Sequence, residues 1–148
     1  MGDTDNIHGT AIVVGETGLL FLGPSGVGKS SLAFACLASA GQLGLSSALV
    51  ADDRVLLSQQ DGEVVAGCPP TIAGLIEIRG TGILRIASIA SAKMRLAVLP
   101  GDPATAERLP PEDERVAVSK AISLPVIRLS TTSINPLAVI MAKYPNYF

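Results

Sequence analysis

Charge is scarce in this chain, and no stretch of it is basic. Of 148 residues only 16% are charged, the net charge is −2, and lysines and arginines form no block. A nucleic-acid groove, whose affinity rests on clustered cations, is therefore not expected as the main function. Cysteine is equally sparse. Cys36 and Cys68 form no C-x-x-C pair and have no histidine close in sequence, so they read as reduced structural thiols, not a metal site or a disulfide. The N-terminal stretch Met1-Gly2-Asp3-Thr4-Asp5-Asn6 lacks the basic start and apolar core of a signal peptide. It also lacks the serine or threonine that N-myristoylation wants at the sixth position.

Apolar residues, by contrast, are plentiful at 48%, and residues 30–51 carry no charge at all. That run is long enough to span a bilayer. It contains Gly41, Gln42, Gly44 and several serines, however, and divides naturally into a helix, a turn and a strand. The expectation is a soluble, cytoplasmic protein with no membrane insertion, folded as one domain over residues 1–148.

The most informative stretch is residues 19–32. Leu19-Leu20-Phe21-Leu22 reads as a buried strand. Gly23-Pro24-Ser25-Gly26-Val27-Gly28-Lys29-Ser30 then matches G-x-x-x-x-G-K-[ST], the phosphate-binding P-loop, with Ser31 beginning the helix behind it. The glycines let the backbone bend so that its N–H groups converge on phosphate oxygens. The helix that follows adds the positive end of its dipole. Lys29 supplies a mobile positive charge, and the Ser30 hydroxyl is a hard oxygen suited to Mg²⁺. The pattern lies between a strand run and a helix run, which separates it from an ordinary glycine-rich turn.

Around this loop the chain reads as an α/β domain. Residues 10–14 and 19–22 form a hairpin, and a helix covers about 28–40 with Gly41 placed to cap it. Residues 47–51 form a short buried strand that delivers Asp52 and Asp53 at its C-terminal edge, where open α/β sheets place ligands. Strands at 55–58 and 64–66 flank an Asp61-Gly62 turn. Pro69-Pro70 breaks the chain, and 71–75 could form one helical turn. Leu75-Ile76-Glu77-Ile78-Arg79 alternates, placing Glu77 and Arg79 on one strand face. Strands are expected at 83–86 and 95–99, a proline- and charge-rich loop at 100–115, and strand within 117–129. Asn135-Pro136 is a helix start, and that helix ends before Pro145.

Four sites stand out beside the loop as candidates, the pair Asp52-Asp53 counting as one. Asp52 and Asp53 are either a solvated pair or a working one, in which one carboxylate takes a nucleophile's proton while its neighbour orients charge or metal. Glu77 is either a metal-side carboxylate or the partner of Arg79. A lone histidine near a terminus such as His8 reads first as structural or solvated, and a loop arginine such as Arg108 is by itself uninformative.

Together the pieces resemble the C-terminal catalytic domain of HPr kinase/phosphorylase. The resemblance lies in Ile7-His8-Gly9, the P-loop, Val50-Ala51-Asp52-Asp53-Arg54, Ile76-Glu77-Ile78-Arg79-Gly80-Thr81-Gly82-Ile83, Glu107-Arg108-Leu109 and Asn135-Pro136-Leu137-Ala138-Val139-Ile140. It implies an ATP- and Mg²⁺-dependent kinase for a serine of an HPr-type phosphocarrier protein, able in some members to remove that phosphate by phosphorolysis. By matched position it implies Asp53 as general base, Lys29 as phosphate-binding lysine, Ser30 and Glu77 as Mg²⁺ ligands, and His8 and Arg108 as active-site residues. It also implies a homo-oligomer, a hexamer.

The chain departs from the family in three ways. Its 148 residues leave no room for the usual N-terminal domain, so a short form of the family is expected; its connection over 41–47 is longer; and its segment 124–135 lacks the Pro-Gly-Arg-Asn ending tied to dephosphorylation. Weak or absent phosphorylase activity is therefore expected. The rival readings are a P-loop kinase for a small metabolite and a non-catalytic ATP-sensing module. Neither an Asn-Lys-x-Asp guanine motif nor a Ser-Gly-Gly-Gln signature occurs, which argues against a GTPase and an ABC-type ATPase.

Overall fold

The structure, a computed structural model, describes residues 4–118 and 122–148. Residues 1–3, the head of the N-terminal stretch, and residues 119–121, inside the strand expected at 117–129, lie outside the described residues.

The mixed sheet grows from the expected hairpin. β1 (Asp5–Val14) turns through residues 15–16 into β2 (Thr17–Phe21), antiparallel, with Thr10 opposite Phe21. The other edge of β1 pairs along almost its whole length with β3 (Ser47–Gln60). β3 turns at Asp61-Gly62 into β4 (Glu63–Gly67), and both turn residues have positive φ, 53° and 79°, as a tight hairpin of this kind demands. β4 pairs with β7 (Ser91–Gly101), whose far edge returns parallel to β2. Strands β1, β3, β4, β7 and β2 thus close on themselves. β9 (Ser123–Ser130) adds parallel to β7, and β8 (Arg115–Ala117) adds to β9 at the rim. A separate ribbon, β5 (Leu75–Ile78) with β6 (Gly82–Arg85), follows a 3-10 turn at Pro70–Ile72.

Two apolar clusters follow from the pleat of these strands. In β2, Leu20 packs with Ala11, Val50, Val55, Leu57, Val64 and Met94. Its neighbours Leu19 and Phe21 face the other way, toward Ile12, Leu96, Val98 and the helices. α1 (Lys29–Gln42) covers that second face with Leu32, Ala33, Cys36 and Ala40, and α2 (Pro136–Lys143) adds Leu137 and Ile140. Burial pushes the Cys36 thiol up to about 12, which suits the reading of an inert structural cysteine. Among the described residues no helix is long and apolar enough to cross a membrane.

Two expectations are corrected. Gly41 does not cap α1. It lies inside the last turn, and Gly44, at φ 75°, takes the left-handed position. Leu45 N–H donates to Ala40 O at 2.9 Å and Gly44 N–H to Gly41 O at 3.2 Å, the paired bonds of a Schellman ending. The strand at 47–51 does not stop before Asp52. β3 runs on to Gln60 because β1 offers a pairing partner throughout, from Ser47 opposite Val14 to Leu57 opposite Asp5. The two aspartates therefore sit in mid-strand. The proposed N-cap of α2 is realised: the Asn135 side chain accepts from Ala138 N–H at 3.2 Å, with Pro136 at the first helical position.

Candidate functional site

A glycine-rich loop joins β2 to α1, and its three glycines all take positive φ: Gly23 128°, Gly26 84° and Gly28 105°. These backbone conformations are closed to most side chains, so the glycines are required by the turn itself. The loop forms one wall of a cleft of about 160 Å³. Ser25, Gly26, Gly28, Lys29, Ser30 and Ser31 line that wall. Asp52, Asp53 and Thr10 come from the sheet, and Glu77 and Arg79 from the β5 ribbon. Of the loop residues expected to bind phosphate, Gly23, Pro24 and Val27 do not line the cleft.

Asp52 organises the cleft. Its carboxylate is 5% exposed and takes three hydrogen bonds. The Thr10 hydroxyl donates to Oδ1 at 2.8 Å, the Ser30 hydroxyl to the same oxygen at 2.6 Å, and the Glu77 backbone N–H to Oδ2 at 2.9 Å. One buried side chain thereby ties together β1, the start of α1 and the β5 ribbon. A buried carboxylate left short of donors is costly, so each of these bonds matters to folding. Thr10→Val keeps the shape and removes one charge-assisted bond. It is expected to lower stability by about 1.5 kcal/mol or more, measured by urea unfolding. An unchanged unfolding midpoint would show that the Thr10 bond contributes nothing.

Asp53 behaves differently. It has φ 71° and its side chain is 71% exposed, so the strand twists to turn it outward. It lies opposite Gly9, and His8 Nδ1 stands 3.9 Å from its Oδ1, an ion-pair separation and not a hydrogen bond. The two adjacent aspartates are thus sorted by their surroundings, one fully engaged and one facing solvent beside the loop.

Lys29 is buried, and its ammonium donates to Gly23 O at 2.6 Å and Pro24 O at 2.8 Å. Burial lowers its pKa below the ordinary lysine value, while the charges of Asp52 and Asp53 oppose that shift. Glu77 is exposed at the cleft, and among the described residues it makes no ion pair with Arg79. Among those residues, too, no group of three or more His, Cys, Asp or Glu forms a metal cage. A divalent ion here would rely on Ser30, Glu77 and ligand phosphates, a donor set that fits Mg²⁺.

Arg108 is not brought to this cleft. It lines a second one, of about 430 Å³, at the C-terminal ends of β7 and β9, together with Glu107, Arg128 and Ser130. Sequence reasoning missed Thr10 as a cleft residue; it held Arg79 as a possible partner for Glu77 and as part of the family-like segment 76–83, without giving it a role in the cleft. A polar residue at the head of an otherwise apolar strand run was the one available sign for Thr10.

Residues 1–95 match the family model described as the HPr Serine kinase C-terminal domain. The HPr kinase/phosphorylase of Bordetella pertussis is 36% identical over 105 residues, covering 67% of this chain and 32% of that protein. That of Lacticaseibacillus casei is 34% identical over 90 residues, covering 60% of this chain and 26% of that protein. The match therefore spans about a quarter to a third of the length of these curated relatives. In three dimensions the chain is similar to the HPr(Ser) kinase/phosphatase from Coxiella burnetii, with a TM-score of 0.76 and 24% sequence identity, covering 96% of this chain and 95% of that one. The likeness of fold extends over β8, β9 and α2, beyond the span of the family model. His8, the glycine-rich loop, Asp52, Asp53 and Glu77 all fall inside that span, whereas Arg108 falls outside it. On the family model's match to well over half of its length, the chain belongs to the HPr serine kinase C-terminal domain family.

Proposed function

We propose that this domain binds ATP with Mg²⁺ and transfers the γ-phosphoryl group to a serine hydroxyl of an HPr-type phosphocarrier protein. One observation carries the reading. Of two adjacent aspartates beside a lysine-bearing glycine loop, Asp52 is consumed by three hydrogen bonds, whereas Asp53 is outward-facing with His8 at 3.9 Å beside it. A module that only senses nucleotide has no use for a free carboxylate there, whereas a kinase does. A serine hydroxyl is a poor nucleophile, and a carboxylate that accepts its proton lets it attack.

In this reading the loop N–H groups and Lys29 hold the phosphates, and Asp53 takes the serine proton with His8 beside it. Ser30 and Glu77 would hold Mg²⁺, with Asp52 fixing the Ser30 hydroxyl. Bound there, the ion neutralises phosphate charge. The cleft is open to solvent on the Asp53 side, which favours a protein-borne serine over a small metabolite that would need enclosure. A homo-hexamer rests on the family resemblance alone, and a cytoplasmic setting on the composition and the character of the N-terminal stretch. The test is calorimetry of ATP with Mg²⁺ and with the metal chelated. Binding that needs Mg²⁺ supports the assignment, and absence of any ATP binding rejects it.

Phosphorolysis is expected to be weak or absent. It needs inorganic phosphate held beside a phosphoserine, and two unit charges 4 Å apart repel by about 4 kcal/mol at an effective dielectric of 20. A free arginine could offset that. Arg128, the arginine of the altered segment, is engaged by Glu114 through both Nε (2.8 Å) and Nη2 (2.7 Å), and it faces the second cleft. That pairing holds the Glu114 carboxyl below its ordinary range. Phosphorylated carrier with excess phosphate and no ATP should release little pyrophosphate. Release at a rate comparable to forward transfer contradicts this.

A further inference from the structure

The glycine-rich loop and the second cleft are neighbours. β2, β7 and β9 run parallel, so their C-terminal ends lie side by side. The loop leaves the end of β2, and the second cleft opens at the ends of β7 and β9. Ligands of parallel sheets lie outside such strand ends. Two backbone bonds tie the parts together. Leu22, the residue before the loop, donates its N–H to Val98 O at 2.9 Å, one residue from Leu99 of the cleft. Thr131 donates its N–H to Gly101 O at 3.0 Å, and Gly101 and Ser130 both line the cleft. Thr131 also meets the loop: a Cβ added at Gly28 would lie 3.8 Å from its Cγ2. One residue thus bridges the last glycine of the loop and the second cleft.

Size divides the work between the two clefts. Sites for small organic ligands span about 300–1,000 Å³. The first cleft, at about 160 Å³, holds phosphates and a metal but not a whole nucleotide. The second, at about 430 Å³, falls within that range. Its lining is that of a base-binding slot, largely apolar: Leu99, Pro100 and Leu129 at the strand ends, and Pro103, Ala106 and Pro110 from the loop beyond β7. Its charges balance. Glu107 and Arg108 bring one of each sign, and Arg128 is held by Glu114. Such a slot favours an uncharged heterocycle over a second anionic group.

We propose that the second cleft is the nucleoside subsite, taking the purine of the nucleotide whose phosphates the glycine-rich loop holds; the proposal rests on the phosphate-loop reading above. The terminal phosphate faces Asp53, and the nucleoside leaves the loop at its helix end, past Gly28 and Thr131. Gly101 sits where the base would lie, and a Cβ added there meets nothing within 4 Å. A larger side chain at that position fills the slot without striking the fold.

The test is calorimetry of wild type and Gly101→Leu with MgATP and with magnesium tripolyphosphate, which carries the phosphates without the nucleoside. Wild type should bind MgATP about tenfold or more tighter than tripolyphosphate. Gly101→Leu should lose that advantage and keep tripolyphosphate affinity within about threefold, with circular dichroism checking its fold. Photolabelling of wild type with 8-azido-ATP and Mg²⁺ gives a second readout, and the label should fall on peptides spanning residues 99–110 or 128–130. Equal affinity of wild type for the two ligands overturns this assignment alone. So does unchanged MgATP affinity in Gly101→Leu, an equal loss of both ligands, or label confined to other peptides. A wild-type protein that binds neither ligand overturns the phosphate-loop reading, and this assignment with it.

Discussion

Asp53→Asn should leave MgATP binding intact and slow phosphoryl transfer by roughly 100-fold or more, the usual contribution of a positioned general base. The substitution preserves shape and hydrogen-bonding capacity but removes the proton acceptor. The local structure should survive it. Asp53 is exposed, and its carboxylate stands 3.9 Å from His8 Nδ1 without a hydrogen bond. Asparagine also tolerates the left-handed backbone that Asp53 adopts at φ 71°. Asp52 is the less suited of the two to take the proton, because its oxygens already accept from Thr10, Ser30 and the Glu77 amide. Single-turnover kinetics with calorimetry in parallel separates the two quantities. A near-normal transfer rate in Asp53→Asn would move the base to His8 or to Asp52.

Lys29→Ala should act at the other end of the site, weakening MgATP binding by about 100-fold or more. Two charge-assisted contacts at about 1.5–3 kcal/mol each account for that loss, at 1.4 kcal/mol per tenfold. A second effect adds to it. The ammonium donates to the carbonyls of Gly23 and Pro24, so it also braces the bend that aims the loop's N–H groups. Burial and the two aspartates pull on this lysine in opposite directions, and removing it leaves Asp52 and Asp53 with less local compensation. Calorimetry reads the outcome, and wild-type affinity in Lys29→Ala would reject the phosphate-loop assignment.

Local chemistry was well legible in the sequence and long-range pairing was not. The glycine-rich pattern, the Asp61-Gly62 hairpin and the Asn135-Pro136 helix start each depend on a few adjacent residues with particular backbone preferences. Each forms at its expected place. The length of β3 depends instead on β1 lying alongside it, which no residue between Asp52 and Val55 announces. Closure of the sheet through β2 and β7 joins residues more than 70 positions apart, such as Leu20 and Ala97. The left-handed Gly44 rather than Gly41 ends α1 because two further residues fit the helical turn, and composition alone does not distinguish the two glycines.

The candidate site divides along the same line. That Asp52 and Asp53 lie near the loop was readable from an apolar strand followed by two carboxylates. Which of them is buried was not, because it depends on Thr10, Ser30 and Glu77 arriving from three other elements. Arg79 was visible as a strand-face neighbour of Glu77 and inside the family-like segment 76–83, but its reach to Gly26 depends on where the β5 ribbon docks. Arg108 was attached to the site by resemblance, and its own segment leads it to the second cleft.

The most direct test of phosphoryl transfer at this cleft is incubation with γ-labelled ATP, Mg²⁺ and a purified HPr-type carrier, followed by mass-spectrometric mapping of the label. The account predicts label on one serine of the carrier, dependent on Mg²⁺ and lost in Asp53→Asn. Label found only in free phosphate or on a small molecule, with the carrier unmodified, would contradict it.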